Sequence, residues 1–417
     1  MTISQRREVE RSVDHVLSEF WGQERYTQLQ KNLLVGLLAH LVTIVFRVLR
    51  FRVVGFGVMV MMLLTNKKLP QLPKSGEIFV FAPTVTNRRV VDRVLGLVAH
   101  EVQSINMNFR RAKFLDRLKS LRYLRIVHPE KGVHDFAYFQ MLMGRVALAY
   151  FARHFIDNAK HPSGVVLAND HSPISVALGY WAKASGIPLV YIQHAPINAN
   201  YPKLIADFSV LFDEATVAIY SRSEAIEGDF AILPPFSEAQ RDLRHVKVPA
   251  VWGLVLSRVP DKANTTNLIQ KILTKFSDAK ILVRPHPASP NVDAFLLDKE
   301  RVSPHLGDLR DFADCVDIAI CPGSGAIIEL LNAGVRVAYN SHLDTIGFDP
   351  HGLVSAELVF DGTSTPLGDL AAKTTLFYND AWVRRFAQRV SGLDEHSVSQ
   401  QEVVVRKKLL ETLGLLS

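Results

Sequence analysis

Three short stretches of this 417-residue chain bring together residue types that do chemistry, each at a point where a strand gives way to a loop. In Ile320-Cys-Pro-Gly-Ser-Gly-Ala-Ile-Ile-Glu329 an apolar strand ends at Pro322, and Gly323, Ser324 and Gly325 lead into a helix. A helix start exposes unpaired N–H groups and the positive end of the peptide dipoles. Glycines there let a phosphate approach the backbone, and the serine hydroxyl adds a donor. Glu329, about a turn further on, is placed to accept from a ribose hydroxyl. In Val283-Arg-Pro-His-Pro287 the imidazole of His286 is braced by Pro285 and Pro287, and Arg284 precedes it. Prolines stiffen the backbone on both sides, so the ring is presented rigidly, as a phosphate or leaving-group contact requires. Arg284 adds a candidate bidentate phosphate donor. In the third cluster, Asn169-Asp-His-Ser-Pro173 follows one strand and Gln193-His-Ala-Pro196 the next. If those strands are parallel neighbours, Asp170, His171 and His194 meet, and Asp170 or His194 becomes a general base for an acceptor hydroxyl. His171 and Gln193 then belong to the acceptor side. Asp213 and Glu214 are a fallback base.

Other chemistries find little support. There is no HExxH or Cys/His cluster with metal-ligand spacing, no strand-terminal Asp-x-Asp, no Gly-x-Ser-x-Gly elbow, and neither a Walker loop nor a dinucleotide fingerprint. The two cysteines, Cys315 and Cys321, cannot build a disulfide framework or a four-ligand zinc site. Cys321 reads as a core residue.

These stretches need a scaffold, and the sequence alternates strand and helix to supply one. Glu77–Phe81, Gly164–Ala168, Leu189–Gln193, Phe208–Phe212 and Phe230–Leu233 read as short strands, with helices over 88–102, 136–159 and 175–185. After Pro249 the pattern restarts. Val251–Leu256, Lys280–Arg284, Val316–Cys321 and Val335–Tyr339 are strands, separated by helices over 266–276 and 325–333. Such alternation predicts α/β architecture with parallel sheets covered on both faces. The expected organisation is a helical region over 1–75, Rossmann-like doubly wound domains over 76–245 and 246–380, and C-terminal helices over 381–417. Two such domains facing a cleft would bind ligands at the carboxyl ends of their strands.

Hydrophobic residues make up 48% of the chain and charged residues 21%, which excludes a disordered or low-complexity protein. The net charge of +7 is concentrated. Residues 1–75 hold 11 Lys/Arg against 5 acids, and residues 110–125 hold seven against Asp116 alone. A local basic excess suits an anionic partner, and with no nucleic-acid motif present the expected partner is a phospholipid surface or a phosphorylated acceptor. Apolar runs over 33–46 and 53–65 flank Arg47, Arg50 and Arg52. Each run falls short of the ~20 residues that span a bilayer, so the expectation is an interfacial helix or shallow hairpin on the membrane surface. Buried helices capping a soluble core are the alternative. No secretory signal is recognisable.

The arrangement resembles the two-domain GT-B glycosyltransferase fold. Arg284-Pro-His-Pro287, followed by Pro322-Gly-Ser-Gly325 and Glu329, resembles a bacterial subset that includes polysialyltransferases, other HP-motif sialyltransferases, capsule-type Kdo transferases and CDP-glycerol glycerophosphotransferases. Ile192-Gln-His-Ala195 is similar to the Gln-His-Gly turn of capsule and teichoic-acid transferases, with Ala195 in place of glycine. The familiar double-serine turn is Gly-Ser-Gly here, and Glu227-Gly228-Asp229 is a loose echo of an acidic base motif. The resemblance implies a metal-independent, inverting transfer from a nucleotide-activated sugar, CMP-sialic acid or CMP-Kdo first, with no cofactor. His286, Pro287, Ser324, Gly323, Gly325 and Glu329 would bind the donor. It also implies a glycan or lipid-linked acceptor, a cytoplasmic-face position on the plasma membrane, and a glycan-export complex as a further partner. Transfer of a polyol phosphate, a UDP-sugar epimerase and a non-catalytic assembly scaffold are the rival expectations.

Overall fold

The computed structural model describes residues 3–21, 59–64, 69–70, 76–99, 105–106, 112–124, 135–158, 161–197, 201–222, 225–235, 241–286, 292–345, 347–391 and 395–415. The apolar run over 33–46, the three arginines beside it and Pro287 lie outside them. The chain forms two units. Unit 1 comprises residues 1–194, 199–233 and 399–417, and unit 2 comprises 195–198 and 234–398.

Unit 1 is built on a six-stranded sheet. Its strands are β1 (Ile78–Phe81), β2 (Ile105–Asn106), β3 (Gly164–Leu167), β4 (Leu189–Ile192), β5 (Phe208–Leu211) and β6 (Asp229–Ile232). The order is β2-β1-β3-β4-β5-β6, and every pair is parallel. All four residues of β1, β3, β4 and β5 are buried, as strands covered on both faces must be. The helices are α1 (Ile3–Trp21), α2 (Val85–Gly96), α3 (Phe114–Lys119), α4 (Asp135–Asn158), α5 (Pro173–Ala184), α6 (Glu214–Tyr220) and, further along the chain, α12 (Glu395–Thr412).

Unit 2 repeats the scheme with β7 (Val251–Val255), β8 (Lys280–Arg284), β9 (Val302–Pro304), β10 (Ile318–Cys321), β11 (Arg336–Tyr339) and β12 (Phe360–Asp361). The order is β12-β11-β10-β7-β8-β9, again parallel throughout. Its helices are α7 (Lys262–Lys275), α8 (Leu309–Cys315), α9 (Ala326–Asn332), α10 (Leu367–Phe377) and α11 (Asp380–Phe386). One face of the sheet packs on α7 through Leu268, Ile269 and Ile272. The other packs on Ile327, Leu331, Trp382 and Phe386 of α9 and α11.

The expected strands are present to within two residues at each end, while several helix boundaries shift. The helix expected over 88–102 is α2, which begins at Val85. Its start is set by a capping box: Thr84 Oγ1 accepts from Asn87 N, and Thr84 N donates to the Asn87 side chain. An asparagine stands where the familiar box has Glu or Gln. The tail expected as separate helices divides: α11 stays with unit 2, whereas α12 returns to unit 1. Glu402 pairs there with Arg93, Lys408 with Asp229, and Leu413 fills the space beside Gly164. The region expected over 1–75 begins with a helix that packs. Leu17 and Val13 of α1 lie on the bare backbone of Gly144, and Arg145 pairs with Asp14 at 2.6 Å and with Glu10. Among the described residues, no helix is long and apolar enough to cross a membrane.

Candidate functional site

In open α/β sheets, ligands collect beyond the carboxyl ends of the strands where the strand order reverses. In unit 1 that point falls between β1 and β3, and in unit 2 between β7 and β10. The chemistry-bearing stretches stand at or beside these two points.

After β3, Asn169 folds the chain into a tight turn by accepting from His171 N at 3.2 Å and Ser172 N at 2.7 Å. Ser172 caps α5, with Pro173 at its first turn. The turn displays Asp170 and His171 side by side. Asp170 Oδ1 is 3.0 Å from His171 Nδ1, and Asp170 Oδ2 accepts from the Tyr220 hydroxyl at 2.5 Å. The Tyr220 oxygen in turn lies 3.4 Å from that of Tyr191. Burial, with the Asp170 charge added, holds both phenols far above the ordinary tyrosine range, so they stay protonated. The Asp170 side chain is 8% exposed and that of His171 19%. The tautomer in which Nδ1–H donates to Asp170 leaves Nε2 with its lone pair. The Asn169 amide, 3.5 Å from Nε2, is a donor that fits the same tautomer. The ring is held by Tyr201 edge-on at 5.2 Å, by Trp21 at 6.1 Å and by His194, stacked at 6.3 Å. The expected meeting of Asp170, His171 and His194 is therefore present. Its chemistry differs from the expectation, because Asp170 spends both oxygens on neighbours. The groups left to meet a hydroxyl are the imidazoles of His171 and His194, and of the two His171 is the one oriented by Asp170.

Gln193 is a correction. It is fully buried, its Oε1 accepts from Phe212 N at 2.7 Å, and its Nε2 faces Thr216 Oγ1 at 3.4 Å. The amide locks the end of β4 to that of β5, out of reach of an acceptor. Asp213, the fallback base, caps α6 by accepting from Thr216 N at 2.6 Å. The echo over 227–229 is also structural. Glu227 pairs with Lys183 and Lys203, and Gly228, at φ +75°, has its α-carbon so close to the Asp207 carbonyl that a Cβ would collide with it.

In unit 2, β8 ends at Arg284 and passes through buried Pro285 to His286, which is half-buried. Burial, then Arg258, then Arg284 push the His286 imidazole below its ordinary value. It is neutral at physiological pH and stands in a positive field. Arg258, exposed just after β7, was missed in the sequence. The signal was its place at the end of the strand that the topology puts between β8 and β10. Arg284 is turned aside, its guanidinium 3.5 Å from the carbonyls of Pro285 and Gly307.

The glycine turn after β10 lies on the far side of β7 from His286. At the usual strand spacing the two strand ends are roughly 10 Å apart. A Cβ on Gly323 would sit 2.3 Å from Pro350 Cδ and 3.2 Å from the Phe348 carbonyl, so only glycine fits. Around Gly325 the space is open. Ser324 Oγ accepts from Ala326 N at 3.2 Å, and the N–H groups of Ile327 and Ile328 bond back to Ser324 and Gly325. This corrects the expectation of a helix-start anion site: α9 spans seven residues and its first N–H groups are already used. What the turn still offers outward is the Ser324 O–H. Glu329 stands half-buried one turn into α9. Cys321 is fully buried, which pushes its thiol far up and keeps it inert.

Two doubly wound parallel sheets joined in one chain define the fold as the GT-B kind. Solved structures are similar to it, and CalG4 carries the same fold. The calicheamicin glycosyltransferase CalG4 aligns over 82% of this chain and 99% of its own, at 11% identity and a TM-score of 0.51. The UDP-GlcNAc 2-epimerase of Neisseria meningitidis, bound to UDP-GlcNAc, aligns over 80% and 99% at 12% identity and a TM-score of 0.46. The glycosyltransferase SnogD of Streptomyces nogalater aligns over 82% and 100% at 16% identity and a TM-score of 0.42. No family model and no curated protein sequence matches the chain.

Proposed function

We propose that this chain is an inverting glycosyltransferase working from a nucleotide-activated sugar. The observation that carries the reading is the Asp170–His171 pair at the switch point of unit 1. A carboxylate-oriented imidazole whose second nitrogen is met at 3.5 Å by the Asn169 amide, a contact long enough for a hydroxyl to displace, is an arrangement that a hydroxyl nucleophile can use. His171 Nε2 takes the acceptor proton as the oxygen attacks the anomeric carbon. The bond from that carbon to the phosphate oxygen breaks, and a single displacement inverts the centre. Asp170 holds the imidazolium that results. Unit 2 receives the other charge. His286 donates to the departing phosphate, Arg258 and Arg284 supply the field, and Ser324 adds its O–H. No metal is required in this scheme.

The likeness of Arg284–Pro287 to the HP-motif transferases favours a cytidine-linked donor, CMP-sialic acid or CMP-Kdo. The acceptor would be a glycan or glycolipid of the cell surface, met at the cytoplasmic face of the plasma membrane. The test is nucleotide release from a panel of CMP-sialic acid, CMP-Kdo, CDP-glycerol and UDP-sugars, with and without a glycan acceptor, in the presence of EDTA. Acceptor-dependent release from a sugar donor is expected. Release from CDP-glycerol alone would redirect the reading to polyol-phosphate transfer, and conversion of a UDP-sugar without acceptor to epimerisation. Unchanged turnover in His171→Ala would refute the assigned base.

A further inference from the structure

Helix α3 turns an apolar face to solvent. Phe114 is 54% exposed, Leu115 64% and Leu118 41%. Phe114 and Leu118 are four residues apart and Leu115 and Leu118 three, the spacings that share a helix side, so the three make one patch rather than scattered singles. Lys113, Lys119 and Arg122 around it are exposed as well. The one acid between residues 112 and 124 is Asp116, and its charge is spent on Arg153 at 3.0 Å. Arg117 lies over the Phe114 ring at 6.0 Å and donates to the Leu64 carbonyl. The element is firmly attached on its inner side. Ala112 N bonds to the Leu69 carbonyl at 3.0 Å, Ser120 is fully buried, and its hydroxyl donates to the Asp116 carbonyl at 2.7 Å. The apolar side chains therefore point outward from a fixed base.

We infer that α3 is a membrane-docking surface, selective for a bilayer whose lipids carry net negative charge. The inference rests on the membrane-face reading above and assigns the contact to residues that the long apolar runs do not include. A six-residue helix cannot span a bilayer, but it can lie at the headgroup level with Phe114, Leu115 and Leu118 in the acyl boundary and the basic rim among the phosphates. The Arg117 bond to Leu64 ties this surface to the end of the 53–65 run. Charge complementarity selects lipid over an apolar protein partner, because three exposed cations with no free acid among them suit a dense anionic plane.

The experiment is co-sedimentation of the full chain with vesicles of phosphatidylcholine alone and of phosphatidylcholine mixed with phosphatidylglycerol. Wild type is expected on the mixed vesicles and not on the neutral ones. Phe114→Ser/Leu115→Ser/Leu118→Ser should lower partitioning at least ~10-fold, with melting temperature and nucleotide-induced thermal shift unchanged. In a separate Leu115→Trp variant, indole emission should shift to the blue on mixed vesicles only. Wild type and triple variant binding alike would overturn the assignment to α3 while leaving the membrane reading intact. Wild type binding neither vesicle would overturn both. Equal binding to neutral vesicles would overturn the charge selectivity. A lipid-free dimer that the triple variant dissociates would make α3 a self-association face and overturn the proposal.

Discussion

If His286 meets the departing phosphate, nucleotide binding must take up a proton. In the free protein, burial and the guanidiniums of Arg258 and Arg284 hold the ring below its ordinary value near 6.5, so it is neutral at pH 7. A phosphate about 4 Å away acts in the opposite sense. Two unit charges at that distance interact by about 4 kcal/mol at an effective dielectric of 20 and about 1 kcal/mol in bulk water. His286 is half-buried, so a value near 2 kcal/mol is appropriate, which corresponds to a pKa rise of roughly 1.5. Affinity should therefore climb as pH falls through the window between bound and free pKa, by roughly 10- to 30-fold in all, and then level off. The stability of the free protein moves the other way. The folded-state pKa lies below the unfolded one, so stability is lost as the pH falls below 6.5, and bound nucleotide restores it. Calorimetric titration with CMP at pH 6.5, in two buffers of different ionisation enthalpy, counts the protons directly. The nucleotide's own phosphate titrates near 6, and His286→Gln supplies that background. Equal proton uptake and equal pH slopes in wild type and variant would refute the assignment.

Asp170→Asn should lower turnover by roughly 10²–10⁴ with little change in donor affinity, because the amide cannot hold the His171 tautomer; steady-state kinetics beside donor titration checks this. Tyr220→Phe, which removes the donor to Asp170 Oδ2 and the contact with the Tyr191 hydroxyl, should cost less than Asp170→Asn in the same assay. Gly323→Ala should lower stability by about 1–3 kcal/mol in denaturant unfolding, since its Cβ would strike Pro350. Gly325→Ala should leave stability within about 0.5 kcal/mol but weaken the nucleotide-dependent thermal shift, because it fills open space beside Ser324.

Nine strands were legible because each is a short run rich in Val, Ile, Leu or Phe, whereas β2, β9 and β12, only two or three residues long, leave no such run. The short helices α6 and α8 were not, because their starts look like chemistry. Asp213 and Asp308 follow β5 and β9 and cap the next helices, and a carboxylate after a strand reads equally well as a base. Ser324 shows the same ambiguity: it was read as a phosphate donor, and the structure finds its oxygen capping its own turn. Gln193 was misread because its partners, Phe212 and Thr216, are some twenty residues away. Tyr220 reaches Asp170 across fifty residues, and α12 crosses back to unit 1 after the whole of unit 2. Such contacts belong to tertiary packing, which local periodicity does not carry.

The two histidines that matter are distinguished by what stands beside them. Ring burial alone would treat His171 and His286 alike, as partly buried imidazoles at strand ends. Their neighbours have opposite charge. His171 bonds to a carboxylate that is itself fixed by Tyr220, so a proton arriving at Nε2 meets a waiting counter-charge. His286 lies in the field of two guanidiniums and gains a counter-charge only when an anion arrives. The first environment suits a group that must accept a proton from a neutral hydroxyl. The second suits a group that must discriminate between an empty site and one holding a phosphate. Exchanging the environments should exchange the behaviour. Arg258→Glu would give His286 a resident carboxylate, raise its pKa in the free protein, and flatten the pH dependence of nucleotide binding near neutrality while leaving the Asp170–His171 pair untouched. A variant that kept the wild-type pH slope would show that Arg258 does not set the His286 field, and the division of labour argued from it would fall.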